Sequence, residues 1–143
     1  MKEERDSAGR TVPIREGLFA VPGEKPERPY LLGSRCRRCG SVYFPRRAVC
    51  ANCLGETMEE IPLSRRGRLY TYTIVRYPAP GLRAPYAVGY VDLPEGVRVF
   101  SVLTGWDDEN LGLGIDMELV VERFGEDAEG NEVQTYKFRP LQG

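Results

Sequence analysis

Gly33-Ser34-Arg35-Cys36-Arg37-Arg38-Cys39-Gly40-Ser41-Val42-Tyr43-Phe44-Pro45-Arg46-Arg47-Ala48-Val49-Cys50-Ala51-Asn52-Cys53 is the stretch that decides the first part of the fold. It holds all four cysteines of the chain, as two C-x2-C pairs with ten residues between them. Two thiolates separated by two residues can face one ion, with backbone N–H groups turned toward the sulfurs. Gly40 follows the first pair directly and Gly55 follows Leu54 after the second. Glycine permits the positive φ that such knuckles often need. Four thiolates fill a tetrahedral zinc site, which makes it structural. Disulfides are the competing reading, and a cytosolic chain does not keep them. A rubredoxin-type iron site or an iron–sulfur cluster also takes four thiolates. Zinc ribbons are the commoner use of this pattern, so Cys36, Cys39, Cys50 and Cys53 are expected to hold Zn2+.

Downstream of the cysteines the pattern becomes that of strands. Gly67–Tyr77 reads GRLYTYTIVRY, with Tyr70, Tyr72 and Ile74 expected on one face and Leu69, Thr71, Thr73 and Val75 on the other. Further strands are expected over Tyr86–Leu93, Val97–Leu103, Met117–Arg123 and Val133–Phe138. Pro94-Glu95-Gly96 reads as a turn, Asp107–Leu111 as a short helical turn, and Gly125–Gly130 as an acidic hairpin loop. Five strands in this space suggest a small barrel. The five-stranded OB-fold leads, and an SH3-like barrel or an open meander fits the same pattern. Residues 1–29 carry Pro13, Pro22, Pro26 and Pro29 among glycines and read as an extended arm. The expected organisation is a mainly β chain: an arm over 1–29, a rubredoxin-like zinc ribbon over 30–63, and an OB-fold barrel over 64–143.

The 143 residues include no histidine, which removes every Ser-His-Asp triad, Cys-His dyad and histidine metal site. Net charge is -1, against a wholesale nucleic-acid or membrane binder. No apolar run approaches the roughly 20 residues of a membrane span. The charged start, Met1-Lys2-Glu3-Glu4-Arg5-Asp6, has no apolar stretch behind it, so a cytoplasmic location is expected. The charge is nevertheless uneven. Residues 34–68 hold eight arginines against three acids, and residues 92–143 hold twelve acids against four bases. From Ile61 to Val91 there are arginines and no acid at all. Arg35, Arg37, Arg38, Arg46 and Arg47 could offset the formal -2 charge of zinc with four thiolates.

The ordered set of segments resembles a known family. It comprises Gly33–Gly40, Phe44-Pro45-Arg46-Arg47, Cys50–Cys53, Gly67–Thr73, Pro85–Val91, Glu95-Gly96-Val97-Arg98, Gly114-Ile115-Asp116-Met117 and Phe138-Arg139-Pro140. The family is one of two-part proteins, a zinc ribbon followed by an OB-fold, that accompany acyl-CoA enzymes. The resemblance covers about residues 30–140. Many members carry a helical segment before the ribbon, where this chain has its Pro-rich arm. Pro13–Gly17 followed by Leu31–Arg35 is most similar to the small subunits of thiolases in anaerobic toluene degradation.

The resemblance implies an accessory subunit that helps form the CoA site of a thiolase-fold catalytic partner, with two copies of each chain. The residue inventory agrees. Thiolysis needs a cysteine nucleophile and general bases, and here every cysteine is assigned to the metal. Lone carboxylates such as Asp92 and Asp107 are better read as solvated charges. CoA phosphates favour arginine forks, which makes Arg46, Arg47, Arg65, Arg66 and Arg68 the expected contacts. A nucleic-acid-binding module is the alternative, with Tyr70, Tyr72, Tyr86 and Tyr90 as a stacking platform. The acidic final third counts against it, and strand tyrosines are expected to pack at the rim of the core. A small iron-containing electron carrier is the third class, and no second redox group supports it.

Overall fold

A computed structural model describes residues 11–13, 18–20, 29–80, 82–126 and 128–141. Among these residues there are ten strands and no helix. They are β1 (Thr11–Pro13), β2 (Phe19–Ala20), β3 (Tyr30–Cys36), β4 (Val42–Tyr43), β5 (Met58–Pro62), β6 (Arg66–Val75), β7 (Tyr86–Asp92), β8 (Arg98–Leu103), β9 (Asp116–Glu126) and β10 (Glu132–Pro140). Most of the Pro-rich arm lies outside the described residues.

Strict alternation builds the barrel. In β7, Ala87, Gly89 and Val91 are buried, and in β8, Val99, Ser101 and Leu103 are buried. Each strand therefore gives every second side chain to one core. β6, β7 and β8 form an antiparallel meander. β9 and β10 form a long antiparallel hairpin. β10 then meets β8 in parallel at Phe138 and Leu103, and β9 returns to β6. The circuit closes, which excludes the open meander. The parallel pairing of third and fifth barrel strands gives the Greek-key order of an OB-fold. β1 adds in parallel to the start of β10, along Glu132–Gln134.

Three details depart from the sequence reading. In β6 the alternation breaks, because Leu69 pairs with Val91 and Thr71 with Tyr90, leaving Tyr70 as an extra residue. This bulge turns the strand over, so Leu69, Tyr72 and Ile74 share the core side while Tyr70 and Thr71 are exposed. Gly89 permits it: a Cβ there would come within 2.6 Å of the Thr71 carbonyl oxygen. Residues 107–111 form no helix. Asp107 Oδ1 accepts from the Glu109 and Asn110 amides at 2.8 and 2.7 Å, and Asn110 Oδ1 accepts from the Asp107 amide at 2.7 Å. Side-chain closure of the turn replaces helical hydrogen bonds. Finally, β9 runs on to Glu126, since a second bulge near Phe124 lets the hairpin continue.

The ribbon is built on β3, with β2 and β4 on one side and β5 on the other. Its residues Leu31 and Leu63 belong to the same buried cluster as Leu69, Val91, Met117, Leu119 and Phe138 of the barrel. Phe44 meets Tyr136 edge to face, with centroids 5.6 Å apart. Arg65 ties the two parts further: its guanidinium donates to the carbonyls of Pro29 at 3.1 Å and Leu119 at 3.0 Å. The buried Glu118 carboxylate lies 3.6 Å from it and also takes Arg139 at 3.3 Å. Ribbon and barrel thus share one core, and the Arg65 guanidinium ties the residue that leads into β3 to β9.

Candidate functional site

The ends of β3 and the turn after it position the first cysteine pair, and the turn before Gly55 positions the second. Gly40 N–H donates to Cys36 O at 2.9 Å, and Leu54 N–H donates to Cys50 O at 2.8 Å. The two turns are thus built alike. Gly40 has φ of 82°, as the spacing suggested. The second turn departs from that expectation, for Leu54 itself takes the positive φ, at 63°. Gly55 is needed for space instead: a Cβ there would lie 3.3 Å from Cys53 Sγ and 3.0 Å from Arg38 Cδ.

All four Sγ atoms lie within 4.8 Å of one another. Cys36 and Cys53 are 3.6 Å apart, and Cys39 and Cys50 are 3.5 Å apart. A zinc ion with Zn–S bonds of about 2.3 Å needs sulfurs about 3.8 Å apart. The donor set therefore fits zinc, with four soft ligands and no further His, Asp or Glu in the cluster. Cys36 and Cys50 are buried, while Cys39 is exposed.

Hydrogen bonds surround the sulfurs. The Arg38 amide donates to Cys36 Sγ at 3.4 Å and the Cys53 amide to Cys50 Sγ at 3.5 Å. Ser41 Oγ lies 3.3 Å from Cys39 Sγ, and Asn52 Nδ2 donates to the same sulfur at 3.5 Å. Tyr43 Oη is 3.4 Å from Cys50 Sγ. These groups favour thiolate. The Ser41 hydroxyl first, and then Asn52, pull the Cys39 thiol down to about 5. The Tyr43 hydroxyl lowers Cys50. Sequence reading missed Ser41, Tyr43 and Asn52 as supports for the sulfurs. Their closeness to the knuckles was the available signal.

The arginines divide. Arg35 and Arg37 converge on Glu59 at 2.9 and 3.3 Å, and Arg46 pairs with Glu60 at 2.7 Å. The Arg35 hydrogen bond foremost holds the Glu59 carboxyl below its ordinary range. Arg47 sits over the Tyr43 ring, 5.4 Å from its centroid. Arg38 packs along Gly55 beside Cys53. Most of these cations answer β5 carboxylates rather than the sulfurs. Arg65 is held at the ribbon–barrel junction. Arg66 and Arg68 are exposed at the mouth of a groove of about 520 Å³, whose walls include Leu93, Pro94 and Leu141. The five candidate CoA arginines therefore do not form one cluster.

The ribbon-then-barrel geometry has counterparts among known proteins. Residues 24–59 match the family described as ChsH2, rubredoxin-like zinc ribbon domain, and residues 60–122 match ChsH2, C-terminal OB-fold domain. The chain belongs to the ChsH2, or DUF35, family. One relative is the benzoylsuccinyl-CoA thiolase subunit BbsA of Thauera aromatica, 40% identical over 79% of this chain and 78% of that one. Another is a DUF35 domain-containing scaffold protein of Methanocaldococcus jannaschii, 37% identical over 81% of this chain and 85% of that one. The solved Ltp2-ChsH2(DUF35) aldolase superposes with a TM-score of 0.64 at 26% identity, covering 78% of this chain and 84% of that one. No helix of the described residues is long and apolar enough to cross a membrane.

Proposed function

We propose that this chain is a non-catalytic, zinc-binding accessory subunit of a thiolase-fold acyl-CoA enzyme. The observation that carries the reading is the gathering of all four cysteines in one cluster, in a chain without histidine. No cysteine remains to carry the acyl group as a thiolase's does, because a sulfur in a closed four-thiolate site is a poor nucleophile for turnover. Cys36, Cys39, Cys50 and Cys53 hold the zinc, which supplies no reaction chemistry and orders the ribbon. The ribbon spans 30–63 and the barrel 64–143. That division is supported by the Leu63 amide bonding back to Leu31 O and the Ser64 amide bonding forward to Glu95. The kinship with BbsA favours (S)-2-benzoylsuccinyl-CoA thiolysis as the partner's reaction.

The catalytic subunit supplies the nucleophile and bases, and this chain completes the CoA site and holds its partner in the active shape. Arg66 and Arg68 take the CoA phosphates, and the apolar groove between Leu93 and Leu141 takes the pantetheine arm. The two acids on the same groove are each paired, Asp92 with Arg98 at 2.6 Å and Asp116 with Arg68 at 3.7 Å, so neither stands there as a lone anion. Arg65 fixes the junction behind them. Arg46 and Arg47 have a weaker claim, one being paired with Glu60 and the other lying over Tyr43.

Light scattering of the co-expressed complex is expected to show two copies of each chain. In that complex, changing both Arg66 and Arg68 to Ala should leave assembly intact and weaken CoA binding by ~1–3 kcal/mol in calorimetry. An unchanged CoA titration would remove the two arginines from the site. Loss of the complex would place them at the subunit interface instead.

A further inference from the structure

The outward side of the β6–β7–β8 meander is apolar and aromatic in a way a free barrel does not need. The register puts Thr71, Tyr90 and Phe100 in one row across the three strands, with the bulged Tyr70 beside them. Tyr70, Tyr90 and Phe100 are 53%, 42% and 50% exposed. Of the four tyrosines expected at the core rim, Tyr72 packs against the core and Tyr86 is half-buried, while Tyr70 and Tyr90 are exposed. The exposed rings are nonetheless ordered. Tyr90 meets Phe100 edge to face at 5.2 Å, and the Arg98 guanidinium lies 3.5 Å from the Tyr70 centroid. Arg98 is fixed in turn by both oxygens of Asp92. Rings held this way lose little entropy on contact.

The row continues into a groove of about 430 Å³ beside β8, where Phe100 and Val102 face Leu82, Phe124 and Tyr136. Aromatic side chains and arginine around a recessed apolar pocket are the composition of an interface hot spot. Charge decides the occupant. Arg76 and Arg83 are exposed in the acid-free loop after β6, and Asp92 is already paired. A second copy docked face to face would oppose these cations with their own counterparts.

We propose that the outer face of β6–β7–β8 and its adjoining groove dock the thiolase-fold catalytic subunit, through a partner surface that is apolar at its centre and acidic at its border. This assignment rests on the accessory-subunit reading and adds the surface that reading leaves open. A projecting apolar side chain of the catalytic subunit fills the groove against Phe100, while its acidic border meets Arg76 and Arg83.

The test compares the full chain alone with its complex, co-expressed with a thiolase-fold catalytic subunit. Hydroxyl-radical footprinting should show Tyr70, Tyr90 and Phe100 at least five times less reactive in the complex, as an order-of-magnitude figure for burial at an interface core. Leu54 and Leu113, exposed elsewhere, serve as unprotected references. Phe100→Asp, on an outward position, should keep zinc and melting temperature and raise the dissociation constant about 30-fold or more. If the complex forms but the three rings keep their free reactivity, the surface is wrong and the accessory reading stands. If no complex forms with the unaltered chain, the accessory reading itself fails. Self-association of the chain alone that protects the same rings would assign the face to a second copy and overturn the proposal. Protection by a labelled single-stranded oligonucleotide in place of the thiolase would overturn it in favour of nucleic acid.

Discussion

Replacing Cys50 with serine is expected to abolish zinc binding and unfold the ribbon. Cys50 is fully buried, its amide bonds to Gly55 O at 2.9 Å, and its sulfur receives Tyr43 and the Cys53 amide. A serine hydroxyl is a poor ligand for this soft donor set, and three thiolates would be left buried or half-buried without their ion. Structural zinc contributes about 10–16 kcal/mol of apparent binding energy in ribbon-sized peptides, which is folding energy when no site exists in the unfolded chain. That is of the same size as the ~5–15 kcal/mol that holds a typical domain together. Because Leu31 and Leu63 of the ribbon enter the barrel core, the loss should spread into the barrel. Metal analysis should give close to no zinc, and amide NMR should lose the dispersed ribbon signals. A metal-free variant with the full native spectrum would refute the structural role.

A smaller but still large effect is expected from Phe138→Ala at the other end of the core. Phe138 is fully buried on β10, opposite Leu119 of β9 and beside Leu103 of β8. Its carbonyl receives the Thr104 amide at 2.9 Å, so it stands where the barrel circuit closes. Truncation leaves a cavity that the neighbouring strands cannot fill without opening that closure, at a cost of about 3–5 kcal/mol. For a chain of this size that lowers the melting temperature by roughly 10–20 °C. Calorimetry of the zinc-loaded variant measures it. A drop of only a degree or two would mean that the closure tolerates the hole.

The contrast between these two sites and the arginines explains what could be read beforehand. Cysteine spacing is a local signal: two knuckles at fixed separation have few other uses, and the four sulfurs do converge. Alternation in β7 and β8 is equally local, and Gly96, with φ of 92°, turns between them at the expected place. The β6 bulge was hidden because the run from Leu69 to Val75 alternates well either way. Its trace was in another strand, at Gly89, where a mid-strand glycine marks close backbone approach. The fate of the arginines depends on partners far along the chain: Glu59 and Glu60 are on β5, and Glu118 is on β9. Composition gave the basic middle and acidic end correctly as a pattern. Folding brings Glu118 and Asp116 back against Arg65 and Arg68, so the separation in sequence is partly cancelled in space. The exposed rings of Tyr70, Tyr90 and Phe100 were beyond reach for the same reason, since only the bulge puts Tyr70 beside the other two.

The central claim is that this DUF35 chain shapes an acyl-CoA site without performing the reaction. Its most direct test is turnover of acyl-CoA by three preparations: the zinc-loaded chain alone, the thiolase-fold subunit alone, and their complex. The account predicts no thiolysis or condensation by the chain alone and full activity only in the complex, in keeping with a cluster that holds every cysteine the chain has. Reproducible turnover by the chain, in a preparation that mass spectrometry shows to be free of any thiolase, would contradict it.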